Sequence, residues 1–231
     1  AWARGAFGEA ERLYRESLVI ERATGNRLGE AGSLNNLGLI AKERGDLDEA
    51  ERLHQESLAI KREAGDRLGA ASSLNNLGII AEERGDLDEA ERLHQEGLAI
   101  AREVGSRPFE APALNNLGNI AEERGDLDGA ERLYEESLAI AREVGNRLGE
   151  AISLNNLAEI AKARSYFDEA ERLYRESMAI NSEVGNRPGM ATSLNNLGDL
   201  EEARGGHDAA SRYYEQAKAI IIDQGVINNA E

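Results

Sequence analysis

The sequence predicts an all-α fold, an α-solenoid of stacked antiparallel helix pairs. The first observation behind this prediction is a fixed period, because the tetrapeptide Leu-Asn-Asn-Leu occurs five times at intervals of 40 residues, starting at Leu34, Leu74, Leu114, Leu154 and Leu194. Units of this length bury their apolar faces by stacking on their neighbours. The second observation is composition. Strong helix formers dominate, only three prolines occur, and no alternating run rich in valine or isoleucine indicates a sheet.

Each unit is predicted to begin with a helix that carries the tetrapeptide. In the unit 26–65 this first helix runs from about Leu28 to Arg44, with Asn26 at the N-cap and Gly45 just past the C-terminus. The residues that recur at helical spacing on one of its faces are Leu34, Leu37, Gly38 and Ala41. The equivalents of Asn26 are also capping residues, namely Asp66, Ser106, Asn146 and Asn186.

A second helix follows each tight turn. In the first full unit it opens with Asp46 and Glu49 at the N-cap and N3 positions of a capping box, and it stops at Gly65. The third unit departs from the pattern, because Pro112 falls inside the predicted first helix, where a proline removes a hydrogen bond. Together with Pro108 it predicts a late start for that helix, near residue 111.

The repeat predicts one domain, a single array over 1–231. Its parts are a partial repeat at 1–25, full repeats at 26–65, 66–105, 106–145 and 146–185, a last repeat at 186–224, and a tail at 225–231. Residues 1–5 correspond to the end of a first helix, so we expect the chain to be a fragment of a longer protein. Ile220 to Ile222 make the last helix more apolar than its equivalents, which favours self-association through the C-terminal end.

Composition argues against several function classes. A formal charge of −17 disfavours nucleic acid and anionic membranes as partners. The chain has no cysteine, no signal-peptide pattern and no apolar run long enough to span a membrane, so a cytoplasmic protein is the default. His54 and His94 occupy the position that tyrosine fills in other units, which indicates packing. Without a phosphate-binding or catalytic motif, we expect no enzyme, no cofactor and no metal site.

The recurring residues also carry a family resemblance. Their spacing resembles that of the tetratricopeptide repeat, in a 40-residue variant similar to those of Pins-type adaptors, kinesin light chains and the sensor segments of bacterial signalling ATPases. The residues that carry it in the first full unit are Leu34, Leu37, Gly38, Ala41, Ala50, His54 and Ser57. The resemblance implies a right-handed superhelix whose concave groove, lined by the first helices, binds a peptide or a partner helix.

A helical wheel places residues 32, 36, 39 and 43, with their equivalents, on one stripe that we call the first-helix face. Position 36 is always asparagine, which suits the backbone of an extended peptide: Asn36, Asn76, Asn116, Asn156 and Asn196. Position 39 varies: Leu39, Ile79, Asn119, Glu159 and Asp199. Position 43 adds Glu43, Glu83 and Glu123, so the stripe holds five carboxylates.

These residues predict an interaction scaffold that binds a basic or neutral protein or peptide ligand in an acidic, asparagine-lined groove. Alternatives stay open at this point. The asparagines could bridge neighbouring helices instead, the carboxylates could be ordinary solvated surface, and the residues at position 35 favour a structural role. The whole array could also be the sensor or autoregulatory segment of a larger signalling ATPase, or a self-associating spacer.

Overall fold

The computed structural model describes residues 2–227, and within them the side chains of residues 8–222. This described part consists of eleven α-helices joined by short turns, and it contains no β-strand. The helices are α1 Trp2–Thr24, α2 Arg27–Glu43, α3 Leu47–Glu63, α4 Arg67–Glu83, α5 Leu87–Val104, α6 Arg107–Glu123, α7 Leu127–Glu143, α8 Arg147–Ala163, α9 Phe167–Glu183, α10 Arg187–Arg204 and α11 His207–Ile227. The all-α prediction is therefore confirmed.

The helices pack as hairpins that stack on one another. Within 40-residue units, helix contacts pair α2 with α3, α4 with α5, α8 with α9, and α10 with α11. Contacts between neighbouring units pair α1 with α2, α3 with α4, α7 with α8, and α9 with α10. The chain forms two compact units, residues 1–120 and 121–231. In the first, the core includes Leu34, Leu74 and Ile80, and in the second it includes Leu154 and Tyr174.

Four of the five predicted N-caps of the first helices, and the glycine turns, are in place. The side chains of Asn26, Asp66, Asn146 and Asn186 each accept a hydrogen bond from the backbone N–H three residues later. The turn glycines adopt the left-handed conformation, with φ of 78° at Gly45. The capping box is only half formed, because Asp46 accepts from the N–H of Glu49, whereas the Glu49 carboxylate binds Arg52 instead.

The turn before α9 has neither the glycine nor the side-chain cap found in most of the other turns. Ser165 has a φ of 63° where other units have glycine, and Tyr166 caps α9 without a side-chain hydrogen bond. We expect Ser165→Gly to raise the free energy of unfolding by about 1 kcal/mol, because a non-glycine residue is strained there. Tyr166→Asp adds about 1 kcal/mol through the missing cap. Urea denaturation followed by circular dichroism measures both. As the control, Gly85→Ser is expected to destabilise, and a neutral result there would contradict the strain argument.

The N-terminal helix differs from the prediction. Residues 2–5 were expected to end a separate first helix, but α1 runs from Trp2 to Thr24 without a break. Ala6 stands where Asp46 caps α3 in the next unit. Without a capping side chain at that point, no local signal stops the helix at Gly5. Of the predicted tail 225–231, the structure places residues 225–227 in α11, and residues 228–231 lie outside the described part.

The late start of the third first helix is also wrong. α6 begins at Arg107 and includes Pro112. The ring of Pro112 lies on the exposed side of the helix, while Glu110, Ala111, Ala113 and Leu114 are buried. Tertiary packing on both sides of the proline therefore holds the turn helical although the Pro108 carbonyl loses its intrahelical donor. Phe109 consequently lies in a helix rather than in a loop, and 38% of it is exposed.

Candidate binding surface of the first helices

The first-helix face is the side of each first helix that the core leaves accessible. In α2, the residues Leu34, Leu37, Ile40 and Ala41 are buried, whereas positions 32, 36, 39 and 43 retain partial or full exposure. The equivalent positions retain exposure along α4, α8 and α10 as well, although Leu157 of α8 and Glu201 of α10 are only partly buried on the core side. The wheel prediction of which positions stay accessible thus agrees with the structure within each compact unit. Ligand contact by these residues remains a prediction.

Asn76, Asn116 and Asn196 at position 36 each bond to the asparagine at position 35 of the preceding unit. In the first compact unit, Nδ2 of Asn76 donates to Oδ1 of Asn35 at 3.0 Å, and Nδ2 of Asn116 donates to Oδ1 of Asn75 at 2.8 Å. In the second, Asn196 donates to Asn155 at 2.9 Å. Consecutive first helices are therefore bridged by asparagine pairs, as the structural alternative proposed. An amide has two N–H donors and an acceptor oxygen, so one such bond does not exhaust it.

The carboxylates of the face have partners that the stripe alone did not reveal. Glu83 lies 3.4 Å from Nζ of Lys42, which belongs to the preceding unit. Glu159 forms a 2.5 Å ion pair with Lys162 and accepts a hydrogen bond from the hydroxyl of Tyr174. Position 42, just beside the predicted stripe, thus supplies lysines that offset part of the negative charge. The prediction of an acidic groove did not take this position into account.

In four units, a ring from the second helix contacts a carboxylate that lies on the first-helix face or just beside it. The Nε2 atom of His94 lies 2.6 Å from Glu82, and the hydroxyl of Tyr134 donates to Glu122 at 2.9 Å. In the later units the acceptor shifts from position 42 to position 39, since Tyr174 donates to Glu159 and Tyr214 donates to Asp199. Each of these four units carries a carboxylate at position 39 or 42, and this is the sequence signal that could have predicted the contact.

The small residue at position 38 of each unit leaves room for the ring of the second helix to reach across the first helix. A Cβ atom added to Gly38 would lie 2.7 Å from Nε2 of His54, and one added to Gly78 would lie 2.5 Å from the ring of His94. The rings therefore pack directly against the helix backbone, and both histidines are wholly buried. His54 differs from the others because its unit carries Leu39 and Lys42 at the two acceptor positions.

Burial and neighbouring groups shift the pKa values of several side chains in these contacts. Burial raises the pKa of the Glu122 carboxyl, and the hydrogen bond from Tyr134 opposes that rise. Burial, reinforced by Glu159, raises the pKa of the Tyr174 hydroxyl, and the hydrogen bond to Asp199 raises that of Tyr214 to about 12. The tyrosines consequently remain hydrogen-bond donors at neutral pH.

Other features of the described residues bear on function. Among residues 8–222, no group of three or more histidine, aspartate or glutamate side chains could hold a metal ion. Within the described part of the chain, no helix is long and apolar enough to cross a membrane. Ile221 and Ile222, on the helix where self-association was predicted, are 54% and 55% exposed.

Comparison with known proteins agrees with the fold. A family model described as the tetratricopeptide repeat matches residues 1–63, 30–103, 109–182 and 149–222. No curated protein matches the sequence. Among solved structures, BtubC (BKLC) from P. vanneervenii is similar with a TM-score of 0.76 and 21% identity, over 97% of this chain and 92% of that one.

Two further structures share the fold at low identity. A putative kinesin light chain with nearly identical TPR-like repeats from Podosopora anserina has a TM-score of 0.62 and 22% identity, over 83% of this chain and 95% of that one. MamA has a TM-score of 0.53 and 18% identity, over 82% of this chain and 96% of that one. At these identities the likeness concerns the arrangement of helices alone.

Proposed function

Because the chain belongs to the tetratricopeptide repeat family, whose repeats mediate protein–protein interaction, we propose that it is a scaffold that binds an extended peptide or partner helix along the first-helix face. The observation that carries the proposal is the row of asparagines at position 36. Each of Asn36, Asn76, Asn116, Asn156 and Asn196 is partly exposed, although its helix is largely buried on either side. Repeat proteins of this family are typically non-catalytic scaffolds.

The asparagine pairs support this role rather than replace it. The bond from Asn76 to Asn35 holds the position-36 amide in one orientation, and a second N–H and the carbonyl oxygen retain hydrogen-bonding capacity. A ligand backbone presents alternating donors and acceptors, which such an amide can match. Because the amide is already ordered by its neighbour, binding costs less side-chain entropy than it would for a free amide.

Charge is proposed to select the ligand. Glu43, Glu83 and Glu123 are exposed at position 43. Lys42 offsets part of this charge in the first compact unit, so the face favours ligands with a few basic or polar side chains rather than a polycation. The neighbouring residues Leu39 and Ile79 provide apolar contact beside the carboxylates.

The test separates ligand contact from helix bridging. Peptides selected from a random display library against the wild-type protein are titrated against two double variants, Asn76→Ala with Asn116→Ala, and Asn35→Ala with Asn75→Ala. Both variants remove the same two bridging hydrogen bonds, but only the first removes the position-36 amides. We expect the first to lower peptide affinity by at least tenfold and the second by less than threefold, with similar melting temperatures.

Two results would contradict the proposal. Equal loss of affinity in both variants would show that the asparagines act only by bridging the helices. Selection of predominantly acidic peptides would contradict the charge preference. Self-association is a second candidate function, favoured by the exposure of Ile221 and Ile222, and sedimentation velocity over a range of concentrations tests it.

A further inference from the structure

An open pocket in the second compact unit lies between the second helices α7 and α9, and we call it the α7–α9 pocket. It measures about 470 Å³, and its floor is apolar. The floor residues are Leu138, Leu154, Leu157, Ala161 and Leu173. Those from α8 lie on the opposite side of that helix from positions 152, 156, 159 and 163. The pocket is therefore separate from the first-helix face.

The repeat itself builds pockets of this type. In the first compact unit, an equivalent pocket of about 340 Å³ lies between α1 and α3, and another of about 250 Å³ lies between α3 and α5. Their floors carry the equivalent leucines, such as Leu34 and Leu74. The special character of the α7–α9 pocket comes from two residues at its rim.

The first of these residues is an exposed tyrosine. Tyr166 is 62% exposed and stands where the equivalent pockets have the capping residues Asp46 and Asp86. The exchange removes the side-chain cap of α9, and the neighbouring Ser165 has a left-handed φ of 63°. Residues that break a local rule in this way cluster at functional sites. Local stability is thus given up at the turn that presents an aromatic ring at the pocket.

The second residue is Glu135, which adds an uncompensated negative charge. The other rim carboxylates are paired within the chain: Glu131 with Arg164, Glu169 with Arg172, and Glu176 with Arg142. Glu135 is exposed, and among residues 8–222 its carboxylate has no ion pair or hydrogen bond. The equivalent pockets have Arg15 and Gln55 at this position. The α7–α9 pocket is therefore complementary to a ligand that brings a cation.

We propose that the α7–α9 pocket docks a partner protein through an arginine that lies next to a large apolar residue of that partner. The apolar side chain occupies the leucine floor, the guanidinium stacks on the ring of Tyr166, and Glu135 balances its charge. Arginine suits both polar contacts, because its planar guanidinium packs on aromatic faces and forms strong hydrogen bonds with carboxylates. Exposed tyrosine is also enriched among the residues that contribute most to protein interfaces.

The chain itself supplies matched variants. Ser165→Gly with Tyr166→Asp removes the ring and restores the Gly-Asp turn found at 45–46 and 85–86. Glu135→Gln removes only the charge and restores the residue found at Gln55 and Gln95. We expect both to be at least as stable as the wild type in urea. The first regains a cap and an unstrained turn, and the second removes the repulsion between Glu131 and Glu135.

The experiment is a selection of random peptides displayed on phage. The wild-type protein is the target, and the Ser165→Gly/Tyr166→Asp variant is used for counter-selection, which removes ligands of the first-helix face because both proteins share that face. We expect the recovered peptides to share an arginine beside leucine, phenylalanine or another large apolar residue. Fluorescence anisotropy should show at least tenfold weaker binding of these peptides to the double variant.

Glu135→Gln tests the ion pair. We expect it to weaken binding of a selected peptide at least fivefold, and replacement of the peptide arginine by citrulline, its neutral isostere, to have a similar effect on the wild type. In Glu135→Gln the citrulline replacement should change the affinity by less than twofold, because the two groups no longer interact. Asn76→Ala with Asn116→Ala, which alters the first-helix face alone, should leave the affinity unchanged.

Several outcomes would overturn the proposal. If no recovered peptide distinguished the wild type from the double variant, the α7–α9 pocket would not be a docking site. Recovered peptides without arginine, or an unchanged affinity in Glu135→Gln, would remove the guanidinium from the interaction. Selection of lysine in its place would show that charge alone is recognised and that stacking on Tyr166 is not.

Discussion

Replacement of Tyr174 by alanine is expected to lower the free energy of unfolding of residues 121–231 by about 3–5 kcal/mol. Tyr174 is wholly buried and packs in the core with Leu154, Ala158 and Leu173. Removing its ring leaves a cavity, and Glu159 loses the hydroxyl that donates to it. Urea denaturation monitored by circular dichroism measures the change.

Tyr174→Phe is the matched control, because it keeps the ring and removes only the hydroxyl. Its expected cost is about 1.5–3 kcal/mol, the value of a hydrogen bond to a charged group. If phenylalanine destabilised the protein as much as alanine, the hydroxyl rather than the packing of the ring would dominate. If Tyr174→Ala lowered the free energy of unfolding by less than the value expected for Tyr174→Phe, the core would have collapsed into the space that the ring leaves.

The second large effect is a loss of stability on acidification that depends on His54. Burial, together with the positive charges of Lys61 and Lys42, lowers the pKa of His54 from its ordinary 6.5 to about 4. In the described part of the chain neither ring nitrogen has a hydrogen-bond partner. The folded protein therefore holds the ring neutral, whereas the unfolded chain protonates it below pH 6.5.

The sign and window follow from these two values. The contribution of His54 to stability is fully present above pH 6.5 and is lost as the pH falls from 6.5 towards 4. A difference of this size corresponds to roughly 2–3 kcal/mol lost between pH 7 and pH 4.5. Other groups titrate in the same range, so the measurement is a difference between proteins.

We therefore expect urea denaturation at pH 7 and at pH 4.5 to show a smaller loss in His54→Phe than in the wild type, by that amount. Phenylalanine keeps an aromatic ring against Gly38 and has no proton to gain. Equal losses in the two proteins would mean that the imidazole becomes solvated on protonation and does not destabilise the fold.

Much of the fold was predictable because its signals are local and repeated. Asn26 and Gly45 bracket the first helix in the sequence, and the structure places them as cap and left-handed turn. The two errors in helix boundaries occurred where a local signal competed with another influence. Pro112 is tolerated in α6 because buried residues on either side hold the helix, and the break at Gly5 is absent because no capping residue accompanies the glycine.

The candidate surface was predictable in position but not in contacts. Helical periodicity identified the residues that stay accessible, including Asn76 and Glu83. It could not show that Asn76 donates to Asn35, or that Glu83 faces Lys42, because these partners are 41 residues away in sequence. Such contacts depend on the register between stacked helices, which is set by side-chain packing across the junction.

Residue spacing and local preferences, which act within one or two turns, allowed the amino-acid sequence to predict the period, the family, and most helix boundaries and N-caps. The packing of the helices determined which carboxylate each ring contacts, since His94 lies beside Glu82 whereas Tyr174 donates to Glu159, and it left His54 without a hydrogen-bond partner among the described residues. Such contacts cannot be predicted locally because packing volume and the satisfaction of hydrogen bonds depend on several helices at once, whereas helix propensity depends on the residues of one helix.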